Sequence, residues 1–123
     1  MENQNDLQSK REKAQILRQT IEAQDWDRLD SLLEQDSSLI NEKSVYTDTW
    51  GEYWGFLLEC VYRQQVLGVR ILLKHGAKKT VGNWGDCLPT TPLEEAQRLQ
   101  NQEIIALLQA RERPTYQRKD LEM

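Results

Sequence analysis

The sequence predicts an all-α fold, a short solenoid of three helix-turn-helix units, and three observations carry that prediction. First, four columns of residues recur in register: Leu17, Leu57 and Leu93; Thr20, Cys60 and Ala96; Leu29, Val69 and Ile105; Leu32, Leu72 and Leu108. The spacings are 40 and 36 residues in every column, so the units contain no internal gap. Second, a leucine followed three residues later by a small residue puts both on one helical face, where a second helix can approach closely. The aliphatic pair that follows supplies the apolar stripe of that second helix. Third, helix punctuation falls at the unit boundaries. Thr91-Pro92-Leu93-Glu94 places an N-cap, a first-turn proline and a capping-box glutamate in order. Leu72-Leu73-Lys74-His75-Gly76-Ala77 puts Gly76 where a left-handed C-cap is wanted.

Taken in order, residues 1–12 form a polar N-terminal extension that begins as loose chain and runs into the first helix. The units follow at about 13–41, 42–77 and 78–112, and residues 113–123 read as a polar tail after Pro114 stops the last helix. A chain of 123 residues fits one domain. No helix of a unit can bury its stripe alone, so the three pairs must stack to make one core. The connections, Asp36–Gly55 and Lys78–Thr90, are rich in turn-forming Gly, Thr, Asn and Asp.

These motifs resemble a known family. Thr91-Pro92-Leu93-x-x-Ala96 is similar to the Thr-Pro-Leu-His-x-Ala opening of ankyrin repeats, and Leu72-Leu73-Lys74-His75-Gly76-Ala77 to their closing Leu-Leu-x-x-Gly-Ala. The resemblance spans about Lys13 to Glu112 and is most complete in the third unit. Glu94 stands where the family has His; the second unit opens Gly55-Phe56-Leu57 and the first Gln15-Ile16-Leu17, both without Thr-Pro. The family's repeat is about 33 residues, so the surplus lies in the connections. The resemblance implies that these protrude as hairpin loops, that partners bind at the hairpin tips and along a groove edge, and that His75 sits on a surface turn.

Composition narrows the function. Sixteen basic and 20 acidic residues give a net charge of −4, the wrong balance for a surface that neutralises phosphates. Two cysteines, Cys60 and Cys87, make no disulfide framework, and one histidine is too few for the common zinc sites. Cys60 falls in the small buried column and reads as inert packing; Cys87, beside Asp86, is poorly placed for a reactive thiolate. No phosphate loop or serine elbow is present. The N-terminal stretch lacks the apolar core of a signal peptide, and no apolar run is long enough to span a membrane. The expectation is a cytoplasmic protein that is not an enzyme and carries no cofactor or metal.

Aromatic placement supplies the candidate sites. Three of the four tryptophans (Trp50, Trp54, Trp84) and two of the four tyrosines (Tyr46, Tyr53) fall in the connections. Two roles fit these rings: packing together to stiffen a long loop, or contacting a partner, as interface aromatics do. By resemblance, Glu52, Trp54, Asp86 and Leu88 lie on the hairpins, while Tyr62, Arg63 and Arg98 lie just after the small column on the groove edge. The candidate partner-binding set is therefore Trp50, Glu52, Tyr53, Trp54, Tyr62, Arg63, Trp84, Asp86, Leu88 and Arg98. A run of acids, Asp25, Asp27, Asp30, Glu34 and Asp36, and a cluster of Lys74, Lys78 and Lys79 read as solvated faces. The function expected is binding of another protein, as a small inhibitor, an immunity-type protein or an adaptor. The alternative is a platform that stacks single-stranded nucleic acid on the loop aromatics.

Overall fold

The apolar stripes decide where helices form and which sides they bury. The computed structural model describes residues 4–41, 55–79 and 91–117. Among these are six α-helices and no strand: α1 (Gln4–Glu22), α2 (Trp26–Gln35), α3 (Phe56–Tyr62), α4 (Val66–Lys74), α5 (Pro92–Leu99) and α6 (Gln102–Gln109). The all-α expectation holds for the described residues. The two expected hairpin loops fall mainly on residues 42–54 and 80–90, outside the described residues.

Within α1, Ala14, Leu17 and Ile21 recur at helical spacing and are buried on one face. Thr20 shares that face, and its hydroxyl is satisfied by donating to the Ile16 carbonyl at 2.7 Å. The helix begins at Gln4, so most of the segment expected to start as loose chain is helical. In the middle unit, every residue of Phe56–Val61 is buried, and α3 packs on both α4 and α5. Helix α5 opens with the expected capping box: Thr91 Oγ1 accepts from the Glu94 amide at 3.1 Å and the Glu94 carboxylate accepts from the Thr91 amide. Helix α4 closes at Gly76, whose φ of +98° is the conformation that favours glycine. The Ala77 amide donates to Leu72 and the Gly76 amide to Leu73, the paired bonds of a Schellman cap.

The inner turns repeat bond for bond. Gln24, Gln64 and Gln100 all adopt left-handed backbone, with φ of 57°, 57° and 58°. The next residue in each turn donates back to the small column: Asp25 to Thr20, Gln65 to Cys60, Asn101 to Ala96, at 3.1, 2.9 and 3.1 Å. The three inner turns are thus equivalent in backbone geometry.

The pairs α1–α2, α3–α4 and α5–α6 pack as hairpins, α3 packs on α5, and α2, α4 and α6 form a continuous row. The core lies between these layers and contains Leu57, Val69 and Leu72 from the middle unit and Leu29 and Ile104 from its flanks. Leu32, Leu93 and Ile105 belong to the predicted columns but are only half-buried, each lying in an end unit with a neighbour on one side. Asn41 joins the starts of the two connections: it donates to the Gly76 carbonyl at 3.1 Å and accepts from the Lys78 amide at 2.9 Å.

The tail differs from the expectation of a polar appendage. Residues 113–117 fold back, and Tyr116 packs against the core. Its hydroxyl donates to Asp27 Oδ1 at the start of α2.

Candidate functional site

Two places in the fold gather side chains capable of recognition: the edge formed by the ends of the first helices, and a polar cluster on the row α2–α4.

The edge is built by helical spacing. Glu59 and Arg63 stand four apart at the end of α3, and Arg63 Nε donates to Glu59 Oε2. One unit on, Glu95 and Arg98 pair within α5: Arg98 Nε donates to Oε1 at 3.1 Å and Nη2 to Oε2 at 2.5 Å, a forked geometry. Both carboxylates are nearly buried, with side chains 8% exposed. The pairing raises the pKa of each guanidinium. Each arginine is therefore a charged group anchored at its base. Arg63 also feels the field of Glu22 from the first unit, and Arg98 lies within electrostatic range of Tyr62. Tyr62 is 53% exposed, in a chain with few large exposed apolar side chains among its described residues. The structure thus brings Tyr62, Arg63 and Arg98 of the sequence-predicted set to one edge. Trp50, Glu52, Tyr53, Trp54, Trp84, Asp86 and Leu88 lie outside the described residues, so the proposed patch of Trp54 with Tyr62 and Arg63 does too.

A cleft of about 330 Å³ runs beside this edge, lined by Gln24, Trp26, Arg63, Gln64, Gln65, Val66 and Leu67. Trp26 reaches it from the first unit over Gly68; a methyl group on Gly68 would stand 2.8 Å from Cys60 Sγ and 3.0 Å from the Trp26 ring. Cys60 is fully buried, and burial pushes its thiol pKa well up, away from thiolate chemistry. A second depression, about 400 Å³, lies on the outer side of the first unit between Ile16, Leu17, Leu32 and Leu39, with the Lys13–Asp36 pair at 3.4 Å on its wall.

The polar cluster overturns three expectations. Asp30, read as part of a solvated acidic run, has a side chain only 1% exposed. Lys74, read as a surface cation, donates to Asp30 Oδ1 at 2.9 Å. His75, expected on a surface turn, is nearly buried, with Nε2 2.7 Å from the same oxygen. An ionised carboxylate only accepts, so Nε2 carries the proton in this contact. Burial pushes the Asp30 carboxyl up, but the hydrogen bonds from Lys74 and His75, with their Coulomb attraction, outweigh it and hold Asp30 below the usual carboxylate range. Three other acids of the run have separate tasks: Asp25 caps α2, Asp27 accepts from Tyr116, and Asp36 pairs with Lys13 and turns the chain at Ser38.

Sequence reasoning missed the glutamines of the inner turns, Tyr116 and the Asp30 partners. The glutamine column carried a readable signal, since Gln24, Gln64 and Gln100 share the 40- and 36-residue spacing. No helix among the described residues is long and apolar enough to cross a membrane. Comparison with protein-family models, with curated proteins and with solved structures found no match.

Proposed function

We propose that this chain is a protein-binding module, a three-unit ankyrin-like solenoid that engages a partner protein through its connections and the edge of its first helices. The observation that carries the reading is the exposed Tyr62 flanked by Arg63 and Arg98, each arginine tied to a nearly buried glutamate. Tyrosine and arginine are the residue types that dominate interface energetics, and a pre-oriented guanidinium loses little freedom on binding. Equivalent inner turns at Gln24, Gln64 and Gln100 support a repeat architecture whose edge presents successive units in register. Capture of a partner through such an edge suits an inhibitor, an immunity-type protein or an adaptor in the cytoplasm rather than an enzyme.

The test is affinity capture from the native host with identification by mass spectrometry, repeated with the Tyr62→Ala and Arg98→Ala chains. Loss of one specific partner in both variants, with thermal midpoints unchanged, supports the reading. Retention of every captured protein by both variants removes the edge from the interface.

A further inference from the structure

After α6 the chain reverses and runs along α4 toward the start of α2, and the contacts along this path have a consistent chemistry. Lys79 Nζ donates to the Ala110 carbonyl, Arg70 Nη1 to the Thr115 carbonyl at 3.3 Å, and Lys74 Nζ to the Tyr116 carbonyl at 3.0 Å. All three donors are cationic side chains of α4 or of the turn that follows it, and all three acceptors are main-chain oxygens. Such contacts hold an extended backbone whatever its side chains. The selective contact is the tyrosine: its hydroxyl donates to Asp27 Oδ1, its ring packs on the core, and the Lys74 ammonium stands 6.0 Å from the ring centroid. Lys74 is itself held in place by the buried Asp30. Backbone-reading donors, an aromatic seat and a carboxylate for the phenol make up a peptide-recognition surface, and the chain fills it with its own residues.

The filling segment is largely exposed. Arg111, Glu112, Arg113, Thr115 and Gln117 are exposed, and only Pro114 and Tyr116 are half-buried. A segment with so few buried apolar groups opens at low cost relative to global unfolding.

We propose that the face formed by Asp27 of α2 with Arg70 and Lys74 of α4 is a second binding surface, distinct from the first-helix edge. Its occupant is an extended, tyrosine-bearing segment of a partner protein, and the chain's own residues 113–117 keep the face closed until that partner displaces them. The tethered segment competes at an effective concentration on the order of millimolar, so only a partner segment with further contacts, or at high local concentration, opens it.

The probe is a fluorescein-labelled peptide with the sequence of residues 110–117, and the protein is the full chain in wild-type and Tyr116→Ala forms. Fluorescence anisotropy is expected to show binding to Tyr116→Ala at least tenfold tighter than to wild type. A peptide with phenylalanine in place of its tyrosine is expected to bind several-fold more weakly. Adding Arg70→Ala to the Tyr116→Ala chain is expected to weaken binding again. Equal affinity of the wild-type and Tyr116→Ala chains, with helical circular dichroism intact, overturns the proposal; so does equal binding of the two peptides. Should Tyr116→Ala fail to fold, Tyr116→Phe removes the hydroxyl alone, and hydrogen exchange at residues 113–117 is expected to quicken while the helices stay protected. Unfolding of that variant as well shows a structural strap and overturns the proposal. A wild-type dimer that dissociates on Tyr116→Phe assigns the face to a second copy's tail instead.

Discussion

The Lys74 ammonium lies 2.9 Å from Asp30 Oδ1, joining the end of α4 to the middle of α2 across the boundary between the first two units. The two residues are 44 positions apart, and the contact exists only when the second helices stack. It converts a buried charge, costly by itself, into a condition for stacking.

Stability should therefore fall in acid in a way that Asp30 controls. A carboxyl whose folded pKa lies below its unfolded value, about 3.9, stabilises the fold above that value and stops doing so as pH drops through the folded pKa. Asp30 is shifted in that direction, with Lys74 and His75 as the facing groups. At pH 7 Asp30→Asn is expected to cost about 1–3 kcal/mol. The gap between wild type and variant should narrow as pH falls below about 4. Thermal melts from pH 3 to 7 check this; a gap that stays constant across the range contradicts it.

The core columns predict unequal costs. Leu72 is 1% exposed on α4, which packs against both α2 and α6, so Leu72→Ala is expected to cost about 2–5 kcal/mol. Ile105 holds the neighbouring column position in an end unit and is half-buried, so Ile105→Ala should cost clearly less. Urea unfolding of both variants measures the difference. Equal losses would mean that the stack does not distinguish its middle from its end.

Much of this fold was legible in the chain because apolar spacing and caps are local signals. Leu57, Val69 and Leu72 are buried where their columns put them, and Thr91 with Glu94 forms the capping box that its spacing announces. What escaped depends on partners far along the chain. His75 looked like a turn residue beside Gly76, and its burial comes from Asp30, 45 positions away. The tail was unreadable for a different reason: part of its hold is through the carbonyls of Ala110, Thr115 and Tyr116, and a carbonyl leaves no mark in residue type. Of the candidate binding set, Tyr62, Arg63 and Arg98 were proposed by resemblance, from their position just after the small column, and they share one edge. Their buried glutamate partners, at three- and four-residue spacing, were present in the sequence but unused.

One helix start is weaker than its counterparts and can be repaired. Asp25, Gln65 and Asn101 occupy equivalent N-caps with similar backbone, φ of −89°, −91° and −90°. Asp25 and Asn101 accept from the amides of Arg28 and Ile104, whereas Gln65, one carbon longer, makes no cap bond and buries Oε1 without a hydrogen-bond partner. Gln65→Asn shortens the side chain so that it can reach the Gly68 amide. The expected gain is about 0.5–2 kcal/mol, the usual worth of a cap. A chemical-denaturation midpoint that does not rise would show that the buried oxygen was not the defect.

Gly68 supplies the last prediction, because helix propensity and packing pull in opposite directions there. In an exposed helix, glycine to alanine gains roughly 1 kcal/mol. At Gly68 the new methyl would sit 2.8 Å from Cys60 Sγ and 3.0 Å from the Trp26 ring, inside any ordinary contact distance. Cys60 is fully buried and Trp26 packs against the core, so room for the methyl must come from a shift of both side chains. Packing should win: Gly68→Ala is expected to destabilise by about 1–3 kcal/mol net, the range for an overpacked core. Cys60→Ala in the same chain removes the nearer clash and leaves the tryptophan one, so the double variant should recover part of the loss relative to the sum of the single changes. A double-mutant cycle by urea unfolding reads that coupling directly. Strict additivity, or a Gly68→Ala chain more stable than wild type, would mean that α4 does not approach α3 and Trp26 as closely as this geometry requires.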